Sequence, residues 1–154
     1  MIKGVQRISV AVQDLGVALR FYRDALGLRV TEERELPENG LKLVRLDAGW
    51  TVIELMQPTQ TEGAVADFLR RRGEGVHHVA LEVDDLELEL RTLLARGTEL
   101  LDREPRDGPG GRIAFVHPRS TGGVMIELNE PTAVTDPART EPSEGSRGAA
   151  GSGP

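Results

Sequence analysis

An internal duplication constrains this chain more than any other feature. Residues 4–20 read GVQRISVAVQDLGVALR, and residues 75–91 read GVHHVALEVDDLELELR. Aligned without a gap, Gly4/Gly75, Val5/Val76, Val12/Val83, Asp14/Asp85, Leu15/Leu86, Leu19/Leu90 and Arg20/Arg91 are identical. Further on, Val52-Ile53-Glu54-Leu55 answers Met125-Ile126-Glu127-Leu128. A unit duplicated about a pseudo-twofold axis would bring Arg7, His78, Glu54 and Glu127 into one shared cleft.

Hydrophobic periodicity supplies the elements. Asp14 reads as a helix N-cap, Ala18, Phe21, Tyr22, Ala25 and Leu26 follow at helical spacing, and Gly27 supplies the stop. Asp85, the stripe Leu86, Leu90, Leu93 and Leu94, and Gly97 repeat the pattern. Before each helix the chain alternates as a strand does. Ile8, Val10 and Val12 share one face, and Arg7, Ser9 and Ala11 the other; Val79, Leu81 and Val83 then oppose His78, Ala80 and Glu82. Further extended segments are expected at roughly 28–36, 41–47 and 50–56, and again at roughly 98–104, 111–117 and 123–129. Turn chemistry lies at Pro37-Glu38-Asn39-Gly40 and Asp107-Gly108-Pro109-Gly110. Period-two alternation points Glu54 and Glu127 away from the helix-facing pairs Ile53/Leu55 and Ile126/Leu128. All four marked side chains thus share a concave, helix-free face, while His77, of opposite parity, is expected on the helix side.

The expected class is α+β, with two paired β-α-β-β-β modules forming a shared cleft. Residues 1–58 make the first module, 59–74 a linker with a short helix, and 75–130 the second module. Residues 131–154, without aromatic residues or apolar periodicity and rich in Pro, Gly, Ser, Ala and Thr, are expected to be a disordered tail.

Composition excludes several functions. A net charge of −6 argues against nucleic-acid binding, which depends on neutralising phosphates. No run approaches the roughly 20 apolar residues that span a bilayer, and MIKGVQR does not read as a signal peptide. The chain has no cysteine, which removes disulfides and thiolate chemistry and agrees with a cytoplasmic address. No Gly-x-Ser-x-Gly elbow occurs. Arg70-Arg71-Arg72 reads better as a cationic last helical turn than as a phosphate clamp. His117, before Pro118, reads as turn chemistry, and Trp50 and Tyr22 as core or interface packing.

The cleft residues carry the chemistry. His78, Glu54 and Glu127 offer one imidazole nitrogen and two carboxylates, a donor set that suits divalent Co, Zn, Mn, Ni or Fe. Arg7 cannot join them, because its guanidinium stays protonated and has no lone pair to give.

FYRDALGLRV after the first strand, the duplication itself and IEL ending each half resemble the vicinal oxygen chelate superfamily, which includes glyoxalase I, extradiol dioxygenases and bleomycin-resistance proteins. VADFLRRRGEGVHHVALEVDDLE and LLDREPRDGPGGRIAFVHPRSTGGVMIEL are similar to its methylmalonyl-CoA epimerase branch, over about residues 4–130. The resemblance implies a single cleft domain, usually a homodimer, whose substrate is an acyl-CoA epimerised at C2 by metal-assisted proton transfer. It also implies four metal ligands: a His on the first strand, a Gln or Glu ending the first module, a His opening the second and a Glu ending it. Glu54, His78 and Glu127 match the last three, and Arg7 stands at the first. By the same resemblance Glu127 and Glu54 are candidate acid/base groups. Ser120, Thr121 and Gly122 are candidates to hold the substrate carboxylate, as is Arg7. Two arrangements stay open. The metal is kept on three ligands with Arg7 binding the substrate, or it is absent and Arg7 is a fixed cation between the two glutamates. The alternatives to an epimerase are a metal-free ligand-binding module of the resistance or sequestration type and a glyoxalase-like lyase or isomerase.

Overall fold

A computed structural model describes residues 1–132 of the chain. The first module contains β1 (Ile2–Ala11), α1 (Leu15–Leu19), β2 (Arg29–Leu36), β3 (Leu41–Asp47) and β4 (Val52–Pro58). The linker helix is α2 (Ala64–Arg72). The second module contains β5 (Gly75–Val83), α3 (Leu86–Ala95), β6 (Arg106–Gly108), β7 (Gly111–Val116) and β8 (Met125–Pro131). Residues 133–154, most of the expected tail, lie outside the described residues.

Both helix starts follow from their caps. Asp14 Oδ1 accepts from the Val17 amide at 2.9 Å, and Asp85 Oδ1 from the Leu88 amide at 2.9 Å. Gly27 and Gly97 end the two helical segments at φ 73° and 79°, a left-handed conformation that glycine adopts without strain. The first segment holds one more residue between cap and stop than the second. The backbone absorbs it by passing from α1 into a π-helix over Arg20–Ala25, with Leu26 N donating to Phe21 O at 2.9 Å. The buried stripe differs from the expected one. Leu15, Ala18, Leu19 and Tyr22 pack inward, whereas Phe21 and Leu26 are 55% and 53% exposed.

The strands form one eight-stranded sheet in the order β2-β3-β4-β1-β5-β8-β7-β6. The order is symmetric about the antiparallel pair β1/β5, and each module closes on its first strand through a parallel pair, β1/β4 and β5/β8. On the outer face α1 covers Val12, Val44, Leu46 and Leu55, and α3 covers Val83, Ala114, Val116 and Leu128. Each fully buried leucine in these layers contributes about 2 kcal/mol.

Four expectations need correction. The concave face is not free of helix: Val65 of α2 packs there with Ala11, Leu36, Leu43 and Met56, closing one end of the cleft. His77 does not face the outer helices. Ser9 pairs with His78 and Val10 with Val76, so His77 is the extra residue of a β-bulge, and it packs against Phe68 of α2. Parity fails wherever a residue is inserted. The segment 98–104 forms no strand, only an isolated bridge from Leu100 to Val116. There the Asp102 carboxylate accepts from the Phe115 amide at 2.9 Å and takes the place of a ladder bond, and Pro105 lacks a donor altogether. Trp50, expected to pack, is 86% exposed in the β3–β4 turn.

Candidate active site

Sheet register assembles the cleft in two adjacent rows. One runs Arg45, Glu54, Ser9, His78, Met125 across β3, β4, β1, β5 and β8. The next runs Val52, Arg7, Ala80, Glu127, Phe115 across β4, β1, β5, β8 and β7. Residues paired across strands share a face. The small side chains of Ser9 and Ala80, both fully buried, leave room above the centre of the sheet for the long side chains on either side.

Into that room the four marked residues converge. Arg7 Nη2 donates to Glu127 Oε1 at 2.5 Å, and Arg7 Nε lies 3.5 Å from Glu54 Oε1. Arg7 Nη1 donates to Gln6 Oε1 at 2.8 Å. Glu54 Oε1 accepts from Ser9 Oγ at 3.0 Å, and Glu54 Oε2 from Arg45 Nε at 2.8 Å. Arg45 also reaches Glu32 Oε2 at 2.7 Å. Glu127 Oε1 accepts from Asn129 Nδ2 at 3.3 Å. His78 Nε2 lies 3.2 Å from Glu127 Oε2 but off the line of a directed hydrogen bond, while the Nδ1 atoms of His77 and His78 are bonded at 2.9 Å. Sequence reading missed Arg45, Ser9, Asn129 and His77. The first three carry the right strand parity for the cleft, so the signal was present; His77 was hidden by the bulge.

Electrostatics follow from this packing. Burial works to raise the Glu54 carboxyl, but the guanidiniums of Arg7 and Arg45 outweigh it, and the group titrates below its ordinary range. Burial likewise opposes ionisation of Glu127. The His78 contact and the Arg7 charge overcome it and bring the carboxyl down to about 2. Burial and the adjacent His78 push His77 down to about 4, so its ring is neutral at pH 7. The buried carboxylates of Glu54 and Glu127 therefore face the guanidiniums of Arg7 and Arg45, the second of which is shared with Glu32.

His78, Glu54 and Glu127 do come together, yet the arrangement does not fit a divalent ion. The space between the two carboxylates holds the Arg7 guanidinium, and a dication there would meet a fixed like charge. Among the described residues no three His, Asp or Glu side chains converge in ligand geometry.

The cluster lies on the wall of a cavity of about 780 Å³, whose lining also includes Arg34, Leu43, Met56, Arg106 and Phe115. Ser120, Thr121 and Gly122 do not line it. Ser120 Oγ accepts from the Glu99 amide at 2.9 Å, and Thr121 Oγ1 donates to Pro118 O at 3.1 Å, so both hydroxyls serve the turn after β7. His117 caps that turn, its Nδ1 accepting from the Arg119 amide at 3.1 Å. Arg70, Arg71 and Arg72 fill the last turn of α2, as the macrodipole favours.

The family model for the Glyoxalase/Bleomycin resistance protein/Dioxygenase superfamily matches residues 6–116. The chain belongs to this superfamily. It is 36% identical over 128 residues to the mitochondrial methylmalonyl-CoA epimerase of Mus musculus, covering 82% of this chain and 72% of that protein. The crystal structure of methylmalonyl-CoA epimerase from Mycobacterium tuberculosis superposes with a TM-score of 0.76 at 35% identity, covering 85% of this chain and 89% of that one. A methylmalonyl-CoA epimerase in complex with methylmalonyl-CoA and NH4+ superposes at 0.77 with 33% identity, covering 89% of this chain and all of that one. Within the superfamily, the mixed α and β architecture with one curled sheet is the shared frame, and the Arg7 cluster sits at the centre of its cleft.

Proposed function

We propose that this protein is a racemase of the methylmalonyl-CoA epimerase type, acting at C2 of a 2-carboxyacyl-CoA thioester. The observation that carries the reading is the placement of two buried carboxylates, Glu54 and Glu127, on either side of one guanidinium in a closed-ended cavity. Epimerisation at a carbon acid requires a proton to leave one face and return to the other. A substrate whose carboxylate engages Arg7 would bring C2 against the wall of the cavity where both glutamates lie. In that complex Arg7 turns part of its charge from Glu127 to the ligand, and burial then raises the basicity of the carboxylate. The sequence resemblance implied metal assistance; no step is assigned to a metal, because the donors present do not fit one. The lack of cysteine agrees with a cytoplasmic enzyme, and the homodimer implied by the resemblance belongs to the same reading.

Incubation with methylmalonyl-CoA in heavy water tests the proposal. Mass spectrometry should show enzyme-dependent deuterium at C2, and no exchange above the blank would sink it. A second reading, a non-catalytic module that binds an anionic ligand, draws on the depressed titration of Glu127, since a carboxylate at about 2 is a weak base. Binding of the thioester without exchange would select that reading.

A further inference from the structure

We infer that Arg7 is the resident cation of this site: its guanidinium occupies the place between Glu54 and Glu127 that a divalent ion would need, and offers an anionic ligand a free N–H. The inference rests on the epimerase reading for the identity of the ligand, but its first half stands on geometry alone.

Three observations support it. Arg7 Nη2 is 2.5 Å from Glu127 Oε1 and Arg7 Nε is 3.5 Å from Glu54 Oε1, so one planar group spans both carboxylates. Arg7 Nε is sealed from solvent and has no acceptor, although Arg7 lines the cavity. His78 Nε2 is also sealed, lies 3.2 Å from Glu127 Oε2 without a directed hydrogen bond, and belongs to the cavity wall. A buried donor left unpaired costs about 1–3 kcal/mol. The unpaired Arg7 N–H marks where a ligand oxygen would restore the missing bond. The chemical class is a thioester carrying a carboxylate on its α-carbon, whose carbonyl and carboxylate oxygens can both turn toward one cation.

The step balances without a metal. The C2–H bond breaks, its proton goes to a glutamate carboxylate, and its electron pair becomes the C=C bond of an enolate. The charge that arrives on the thioester oxygen meets the Arg7 guanidinium, a donor already in place and permanently positive. The other glutamate, having first taken a proton from water, gives it to the opposite face of C2, which restores the C–H bond and the carbonyl, and the first glutamate then releases its proton to water.

Cobalt binding and C2 exchange, measured on the full chain after dialysis against a chelator, test the two halves separately. The wild type should retain less than about a tenth of an equivalent of Co²⁺, and its exchange should be unaffected by chelator or added cobalt. Arg7→His, shown to be folded by circular dichroism, should gain about one equivalent with the visible absorption of a nitrogen- and oxygen-ligated cobalt centre. Arg7→Lys, which keeps the charge and loses the fork, should lower exchange about 100-fold. A wild type that binds one cobalt and loses exchange on chelation overturns the inference and leaves the epimerase standing. Failure of folded Arg7→His to bind cobalt also overturns it. A wild type without metal and without exchange under any condition overturns the epimerase reading instead, while cobalt uptake by Arg7→His still upholds the place of the guanidinium.

Discussion

Glu54 and Glu127 stand at equivalent places in the two modules and have different neighbours. Glu54 is served within its own module, by Ser9 of β1 and Arg45 of β3. At the position across the strand pair that Arg45 holds for Glu54, Glu127 has Phe115. An aromatic ring offers a carboxylate no charge, so Glu127 draws its cation from the other module, where Arg7 answers His78 of the repeat. His78 makes no such crossing; it stays against Glu127 on its own side. The duplication therefore supplies a symmetric frame, and the cations break the symmetry. The first module contributes both guanidiniums, and the bond from Arg7 to Glu127 ties the halves across the pseudo-twofold axis.

Removing that tie should have the largest effect. Arg7→Leu leaves Glu127 buried without its guanidinium and should cost about 3–5 kcal/mol in urea unfolding at pH 7. Arg45→Leu should cost less, because Glu54 keeps Ser9 and the nearby charge of Arg7. Equal losses would mean that the two modules are supported alike and would dissolve the asymmetry.

Acid should loosen the protein next most strongly. The folded pKa of Glu127 is depressed from 4.5 to about 2, so its contribution is fully present above pH 4.5 and is lost as the pH falls toward 2. That depression corresponds to on the order of 3 kcal/mol. Glu54 shifts in the same direction and adds to the loss. The unfolding free energy measured from pH 6 to pH 2 should show this fall in the wild type and a smaller one in Arg7→Leu. A wild-type profile flat to pH 3 would contradict the pairing. Smaller again, Asp14→Ala and Asp85→Ala should each cost about 1 kcal/mol, since the two caps have the same geometry.

What the sequence disclosed and what it concealed divide along the same line. Parity on regular strands placed Arg7, Glu54, His78 and Glu127 on one face, because β1, β4 and β8 alternate without interruption there. The same alternation puts Arg45 and Asn129 on the cleft face, but sequence reading passed over them, because their pairing depends on register between strands, which a single sequence does not state. His77 was concealed by an inserted residue. The π-helix was concealed in the opposite sense. Its signal, one extra residue between Asp14 and Gly27 compared with Asp85 and Gly97, becomes legible only when both copies are aligned through their stops.

That extra residue yields the smallest expected effect and a test of assembly. Phe21 faces outward in this segment, edge-on to Tyr22 at 5.3 Å between ring centroids. Its counterpart in the second copy is Thr92, whose hydroxyl bonds back to Leu88 O at 2.8 Å on an exposed surface. Phe21→Thr thus gives the first module the residue of the second. For a chain whose Phe21 faces water, the change in unfolding free energy should stay within about 0.5 kcal/mol. In the homodimer that the resemblance implies, a second copy covering Phe21 would give a different result. The cost would exceed about 2 kcal/mol and would shrink on dilution, because association contributes to stability only at protein concentrations above the dissociation constant. Urea melts of both proteins at two concentrations a hundredfold apart, alongside sedimentation, separate the cases. A large cost independent of concentration would show that Phe21 packs within its own chain and that the two helical segments are more alike than their backbones suggest.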